Sequence, residues 1–168
     1  DRVLRLINNL GIANSKEDKV KLIFVPCYLD GKDGIFDKQY YDLLLGQDMS
    51  IYPSYYEPWG YTPLESIAFA VPTVTTDLAG FGLWVNSLGK YHGIEYGVEV
   101  IHRTDTNYYN VVEEIKEAVA IFSNMTKEEV GSACKSAVEI AEKALWKHFI
   151  SYYYEAYDFA LRRAEERR

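Results

Sequence analysis

The stretch Ser50–Thr76, SIYPSYYEPWGYTPLESIAFAVPTVTT, sets a strand signal, a corner, a helical segment and a second strand signal in immediate succession. Asp48–Ser54 (DMSIYPS) and Pro72–Asp77 (PTVTTD) are β-rich, and Pro63–Val71 between them reads as a helix ended by Pro72. A strand, a helix and a strand at this spacing form a right-handed crossover, which pairs its two strands in parallel. The alternation continues outward from there. Val20–Pro26 (VKLIFVP) and Gly97–His102 (GVEVIH) read as two further strands, the first apolar enough to be buried on both faces. Asp37–Leu45 reads as a helix closed by Gly46, and Val3, Leu6, Ile7 and Leu10 mark an earlier helix that stops at Gly11. Ala79–Tyr96 is glycine-rich and reads as loop with a short helical turn.

From Asn107 the pattern is helical to the end. Thr126 and Glu129 make a Thr-x-x-Glu capping box ahead of a stripe of Val130, Cys134, Ala137, Ala141 and Leu145. A further stripe uses Trp146, Phe149, Tyr153, Tyr157, Leu161 and Ala164, and both are expected to face a core. The tail RRAEERR reads as a solvated helix end. The fold class is therefore α/β: a partial doubly wound, Rossmann-like parallel sheet of about four strands, with flanking helices and a helical C-terminus.

At 168 residues the chain suits one domain, and its 48% hydrophobic and 26% charged content is that of an ordinary globular protein. No apolar run approaches the roughly 20 residues of a membrane span, and no signal peptide is visible. The chain opens on Asp1, as an excised piece of a longer protein would. A net charge of −7 argues against a nucleic-acid partner, though not against a small anion bound by backbone amides. Cys27 and Cys134 have neither metal-ligand spacing nor a disulfide framework, which fits a reducing, cytoplasmic setting. Cys134 is expected in core packing. His92, His102 and His148 lack partner spacing, so none is assigned to catalysis or metal.

In open α/β sheets ligands bind beyond the carboxyl ends of the strands. By that rule Cys27, Tyr28 and Leu29, then Tyr55 to Gly60, then Leu78 to Gly82 should converge on one crevice. At the central corner Thr62 is placed as an N-cap, Pro63 as the first helical residue and Glu65, at the third helical position, as its partner in a Thr-x-x-Glu capping box. Gly60 lets the backbone approach a ligand closely, and the free amides of the first turn favour a phosphate or diphosphate. Glu65 either caps the helix or meets a ligand. Glu57 lies too far upstream to join the box and precedes Pro58, so it extends toward the crevice as a ligand contact. Trp59 and Tyr61 serve local packing or the ligand. Tyr28 and Tyr40 are either half-buried or platforms for a flat base.

PSYYEPWGYTPLES followed by VPTVTTDLAGFG closely resembles the signature of glycogen synthases of the UDP-glucose-using type, retaining glycosyltransferases of GT-B architecture. KVKLIFVPCYL and ALRRA extend the likeness over most of the chain. The resemblance implies that residues 1–168 form the later part of a C-terminal nucleotide-sugar-binding domain, without the N-terminal acceptor domain. It implies that Glu57 contacts the donor sugar and is the catalytic carboxylate, while Glu65 contacts the ribose. Amides of Gly60, Tyr61 and Thr62 hold the diphosphate, Tyr40 stacks on uracil and Tyr28 lines the base pocket, with Trp59 in the same donor site. It also implies no metal and no cofactor, a nucleotide sugar and an α-glucan chain as partners, and neither nucleic acid nor membrane. A homo-oligomer stays open. Eukaryotic members carry an arginine-rich sensing helix, whereas MTKEEVGSACKSAVEIAEKALW has no arginine, which implies an enzyme without that control. Two other readings stay open: a GT-B transferase using ADP-glucose or another acceptor, and a non-catalytic nucleotide-sugar-binding domain.

Overall fold

The computed structural model describes residues 1–90 and 92–167, which divide into two compact units, Asp1–Leu43 and Leu44–Arg168. In the first unit, α1 (Arg2–Asn9) starts where the Asp1 carboxylate accepts from the amides of Val3 at 2.7 Å and Leu4 at 3.3 Å. It stops as expected ahead of Gly11, whose φ of +68° is a left-handed conformation.

The expected strand at Val20–Pro26 does not form. A strand exists only through its ladder, and here a side chain takes the place of one. The Leu22 amide donates to Asn14 Oδ1 at 2.8 Å, and Asn14 Nδ2 donates back to the Leu22 carbonyl at 2.7 Å. Val20 is left 70% exposed despite its strand-like surroundings. The helix expected from Asp37 also begins later, as α2 (Tyr40–Leu44). Asp33 explains the delay: its carboxylate accepts from the amides of Ile35, Phe36 and Asp37, and Asp37 itself sits at φ +51°. Those amide bonds, that of Phe36 first, hold the Asp33 carboxyl below its usual range.

The second unit is built on a parallel sheet of three strands, β1 (Ser50–Ile51), β2 (Thr73–Thr76) and β3 (Val98–Ile101), with β2 central. Its register pairs Ser50 with Thr73, Thr73 with Val98 and Thr76 with Ile101. Between β1 and β2 runs α3 (Tyr61–Ala68), and between β2 and β3 run α4 (Gly80–Ser87) and a 3₁₀ turn, Ile94–Tyr96. Three helices follow: α5 (Tyr108–Asn124), α6 (Lys127–Lys143) and α7 (Trp146–Glu165).

Strand alternation divides the core between the two sheet faces. Val98 and Val100 join Ile67 of α3, Phe81 and Val85 of α4, and Ala137 and Ile140 of α6. Val74 and Ile101 join Ile94 and, from α5, Val111 and Ala118. Helices thus cover both faces, as a doubly wound fold requires. A chain of hydroxyls locks α3 onto the sheet. Buried Ser66 meets Ser50 Oγ at 2.8 Å and the Tyr52 hydroxyl at 3.0 Å, while Ser50 Oγ reaches Thr73 Oγ1 at 2.8 Å.

Two expectations need correction here. The stretch taken for loop contains α4, because Gly80 and Gly82 mark close packing rather than flexibility. A Cβ on Gly80 would run into the Pro58 carbonyl oxygen, and one on Gly82 into that of Thr76. The stripe on α7 is not buried either. Phe149 and Ile150 are half-buried, and the other described residues of that helix are exposed. On α6 the buried positions are Ala133, Ala137, Ile140 and Ala141, while Leu145 is 47% exposed and Cys134 only half-buried. Burial pushes the Cys134 thiol up from its ordinary pKa.

Candidate functional site

The corner between β1 and α3 is held by the exit of β2 rather than by its own turn. The Glu57 amide donates to the Leu78 carbonyl at 3.2 Å, and the Glu57 carbonyl accepts from the Gly80 amide at 3.1 Å. The Trp59 carbonyl accepts from the Phe81 amide at 2.6 Å. Glu57 and Ala79 thereby form a parallel bridge beyond the ends of the named strands. Two of the three loops expected to converge, those after β1 and β2, are joined in this way at the carboxyl edge of the sheet.

The helix start differs from the expected capping box. The N-cap is Gly60, at φ +105° and ψ +78°, and no side chain caps the helix. Thr62 is already helical, with Pro63 one position further on. The box fails because the chain enters the helix as soon as the Trp59–Phe81 bond releases it, which requires the positive φ that glycine tolerates. Proline falls inside the first turn, where its missing N–H takes nothing from the helix ladder. The amides of Gly60, Tyr61 and Thr62 have no protein acceptor among the described residues. Uncapped first-turn amides and the helix dipole are together receptive to an anion, by about 0.3–1 kcal/mol from the dipole where exposed.

Around this helix start, Glu57 and Glu65 are half-buried, whereas Tyr61 is 70% exposed. Trp59 turns inward. Its ring meets Phe149 at 5.6 Å and Trp84 at 5.8 Å between centroids, so local packing accounts for the side chain. An open groove of about 500 Å³ flanks the corner, lined among others by Trp59, Tyr61, Leu64, Trp146 and Tyr153. Tyr28 and Tyr40 belong to the first unit. Tyr28 is 95% exposed; Tyr40 is half-buried, donates its amide to the Leu29 carbonyl at 3.0 Å and rests against Tyr41. No cluster of three or more His, Cys, Asp or Glu side chains placed to hold a metal occurs among the described residues. Nor is any described helix long and apolar enough to cross a membrane.

At the same sheet edge the sequence reading left Asp77 and Arg103 without a role and set His102 aside for want of a partner, yet the structure joins all three. Asp77 at the end of β2 bonds His102 Nδ1 at 2.5 Å and the Arg103 amide at 2.9 Å, and Arg103 is buried. That hydrogen bond and the Asp77 charge raise the pKa of the exposed His102. The crevice rule, extended past β3, would have found them.

A parallel sheet with helices on both faces and an open helix start at its carboxyl edge defines a doubly wound α/β protein. Within that class the chain belongs to the glycogen synthase family, whose profile matches residues 1–167. It is 30% identical over 165 residues to glycogen [starch] synthase isoform 1 of Saccharomyces cerevisiae, covering 98% of this chain and 23% of that protein. It is 29% identical over 164 residues to glycogen [starch] synthase of Neurospora crassa, with the same coverage. To the liver glycogen [starch] synthase of Mus musculus it is 28% identical over 164 residues, again 98% of this chain and 23% of the relative. The chain thus spans about a quarter of the length of these relatives.

Proposed function

We propose that this chain is the nucleotide-sugar-binding portion of a cytoplasmic, retaining glycogen synthase of GT-B architecture. The whole enzyme moves glucose from UDP-glucose to the 4-hydroxyl at the end of an α-1,4-glucan. What carries the reading is the uncapped start of α3, whose three unpaired amides stand beside Glu57 in a chain of this family.

In the proposed reaction the bond from the anomeric carbon to the diphosphate breaks and its electron pair leaves with UDP. The acceptor oxygen bonds to the same carbon on the same face, and its proton passes to the departing diphosphate oxygen. Negative charge grows on the leaving diphosphate, and the amides of Gly60, Tyr61 and Thr62 are aimed there. A preorganised donor of this kind contributes about 3 kcal/mol to a transition state. Glu57 orients the sugar and stabilises positive charge at its anomeric carbon. Glu65 meets the ribose. No metal or cofactor takes part.

Calorimetric titration of the chain tests the donor assignment. UDP and UDP-glucose should bind, and more tightly than ADP-glucose; indifference to all three sinks the assignment, and a preference for ADP-glucose changes the donor. In a full-length enzyme carrying this chain, Glu57→Gln should remove most transfer while leaving the melting temperature unchanged. Near-normal turnover in that variant would make Glu57 structural.

A further inference from the structure

Arg103 leaves β3 at its carboxyl end and is only 7% exposed. Burying a guanidinium is costly unless its charge and donors are met, so its contacts reveal its purpose. It forms no ion pair with a carboxylate among the described residues. Instead, its Cζ lies 3.6 Å from the centroid of the Tyr55 ring and its Nη1 donates to the Pro53 carbonyl at 2.5 Å, while its buried Nε has no partner among the described residues. Both contacts fall on the segment that leads from β1 to Glu57.

The arginine is itself pinned. Its amide donates to Asp77 Oδ1 at 2.9 Å, and the Asp77 amide donates to the Ile101 carbonyl at 3.0 Å. The ends of β2 and β3 therefore hold the arginine, and the arginine holds the segment. The backbone is tied to β2 on either side of these contacts, by the Tyr52 amide to the Val74 carbonyl at 2.8 Å and by the bonds of Glu57 to Leu78 and Gly80. Between them only the bond from Thr76 Oγ1 to the Ser54 carbonyl at 2.8 Å is added, and Tyr55 is 57% and Tyr56 79% exposed. Only arginine can stack its plane on a ring and donate within that plane at once, which lysine cannot do.

We propose that Arg103 is a positioning residue that fixes the Pro53–Tyr55 segment and thereby sets where the Glu57 carboxylate stands. The inference rests on the role proposed above for Glu57. Drift of a reacting group by about 1 Å costs on the order of 10²-fold in rate, so a loosened segment is felt in turnover before binding.

Two measurements test it separately. In the chain itself, hydrogen exchange in Arg103→Lys should quicken at the amides of Glu57 and Gly80 by about 10-fold more than at β2 amides. Unchanged exchange at those two amides overturns the clamp, whatever Glu57 does. In a full-length enzyme carrying this chain, Arg103→Lys should lower kcat by about 10- to 100-fold while leaving KM for UDP-glucose within about 3-fold. Added to Glu57→Gln, it should lower the residual rate by less than about 2-fold, because it acts through that carboxylate. Equal losses in both backgrounds make Arg103 merely structural and overturn the proposal. A near-normal Glu57→Gln enzyme overturns the Glu57 role and the catalytic half of the inference, leaving the exchange result to judge the clamp. If Arg103→Lys fails to fold, Tyr55→Leu removes the ring and should change kcat in the same direction.

Discussion

Thr62-Pro63-Leu64-Glu65 and Thr126-Lys127-Glu128-Glu129 carry the same Thr-x-x-Glu pattern at the head of a helix, yet they fold differently. At α6 the reciprocal box forms. The Thr126 amide donates to Glu129 Oε2 at 2.7 Å, and the Glu129 amide donates to Thr126 Oγ1 at 3.3 Å. At α3 the helix begins earlier, at Tyr61, with Gly60 as an N-cap that has no side chain to offer. The difference lies in what else acts on each segment. Thr126 sits in an exposed connection where only local forces operate, so the local pattern wins. The segment before Thr62 is bonded to Leu78, Gly80 and Phe81, and these contacts decide where the helix may start. One helix closes its own amides; the other leaves its first-turn amides without a protein acceptor among the described residues.

The largest effect should come from Gly60→Ala. Its φ of +105° lies where side chains are strained, and a Cβ would meet Pro63 Cγ at 3.3 Å and Glu57 Cγ at 3.4 Å. A loss of about 1–3 kcal/mol in urea unfolding is expected, with UDP affinity down by at least about 10-fold. Wild-type affinity in a folded variant would show that the open start of α3 is not the anion site. Thr126→Ala should cost about 1 kcal/mol of stability and leave UDP binding unchanged, since neither Thr126 nor Glu129 lines the groove beside α3. Melting against pH separates two smaller contributions. The amide and hydroxyl of Thr126 hold the Glu129 carboxyl below its usual 4.5, so its stabilisation is present above that value and fades as pH falls through the lowered pKa. His102 runs the other way: its pKa is raised above 6.5 by Asp77, so its stabilisation is complete below 6.5 and fades as pH rises through the raised pKa. Glu129→Gln should flatten the acid limb alone, and His102→Asn the neutral limb alone. Smallest of all, Thr62→Ala should stay within about 0.5 kcal/mol, because Thr62 caps nothing. A loss as large as that of Thr126→Ala would restore the capping box.

Much of the second unit was legible in its residues. PTVTTD and GVEVIH gave β2 and β3, Thr126 and Glu129 gave the start of α6, and the alternation of strand and helix gave the parallel sheet. Val20–Pro26 failed because composition reports what a strand is made of, not whether a partner is there to pair with it. Ala79–Tyr96 failed because glycine has two uses, and Gly80 and Gly82 serve close approach to the carbonyls of Pro58 and Thr76. The α7 stripe failed because periodicity shows an apolar face without showing what covers it. At the corner the residues pointed to an anion-receptive helix start, but to the wrong cap. Arg103 was invisible because its partners, Pro53 and Tyr55, are brought to it only by the pairing of β1 with β2 and of β2 with β3.

By itself the sequence determined the α/β class, the helices that start and stop on local signals, and the family, carried by the unbroken YYEPWGYTP run. These depend on forces between residues close in the chain, or on the run of residues itself. Only the tertiary structure decided that α3 opens at Gly60, that Trp59 turns into an aromatic cluster, and that a buried arginine from β3 grips the approach to Glu57. Each of those depends on backbone groups distant in sequence competing for the same few hydrogen bonds, a competition that no local pattern records.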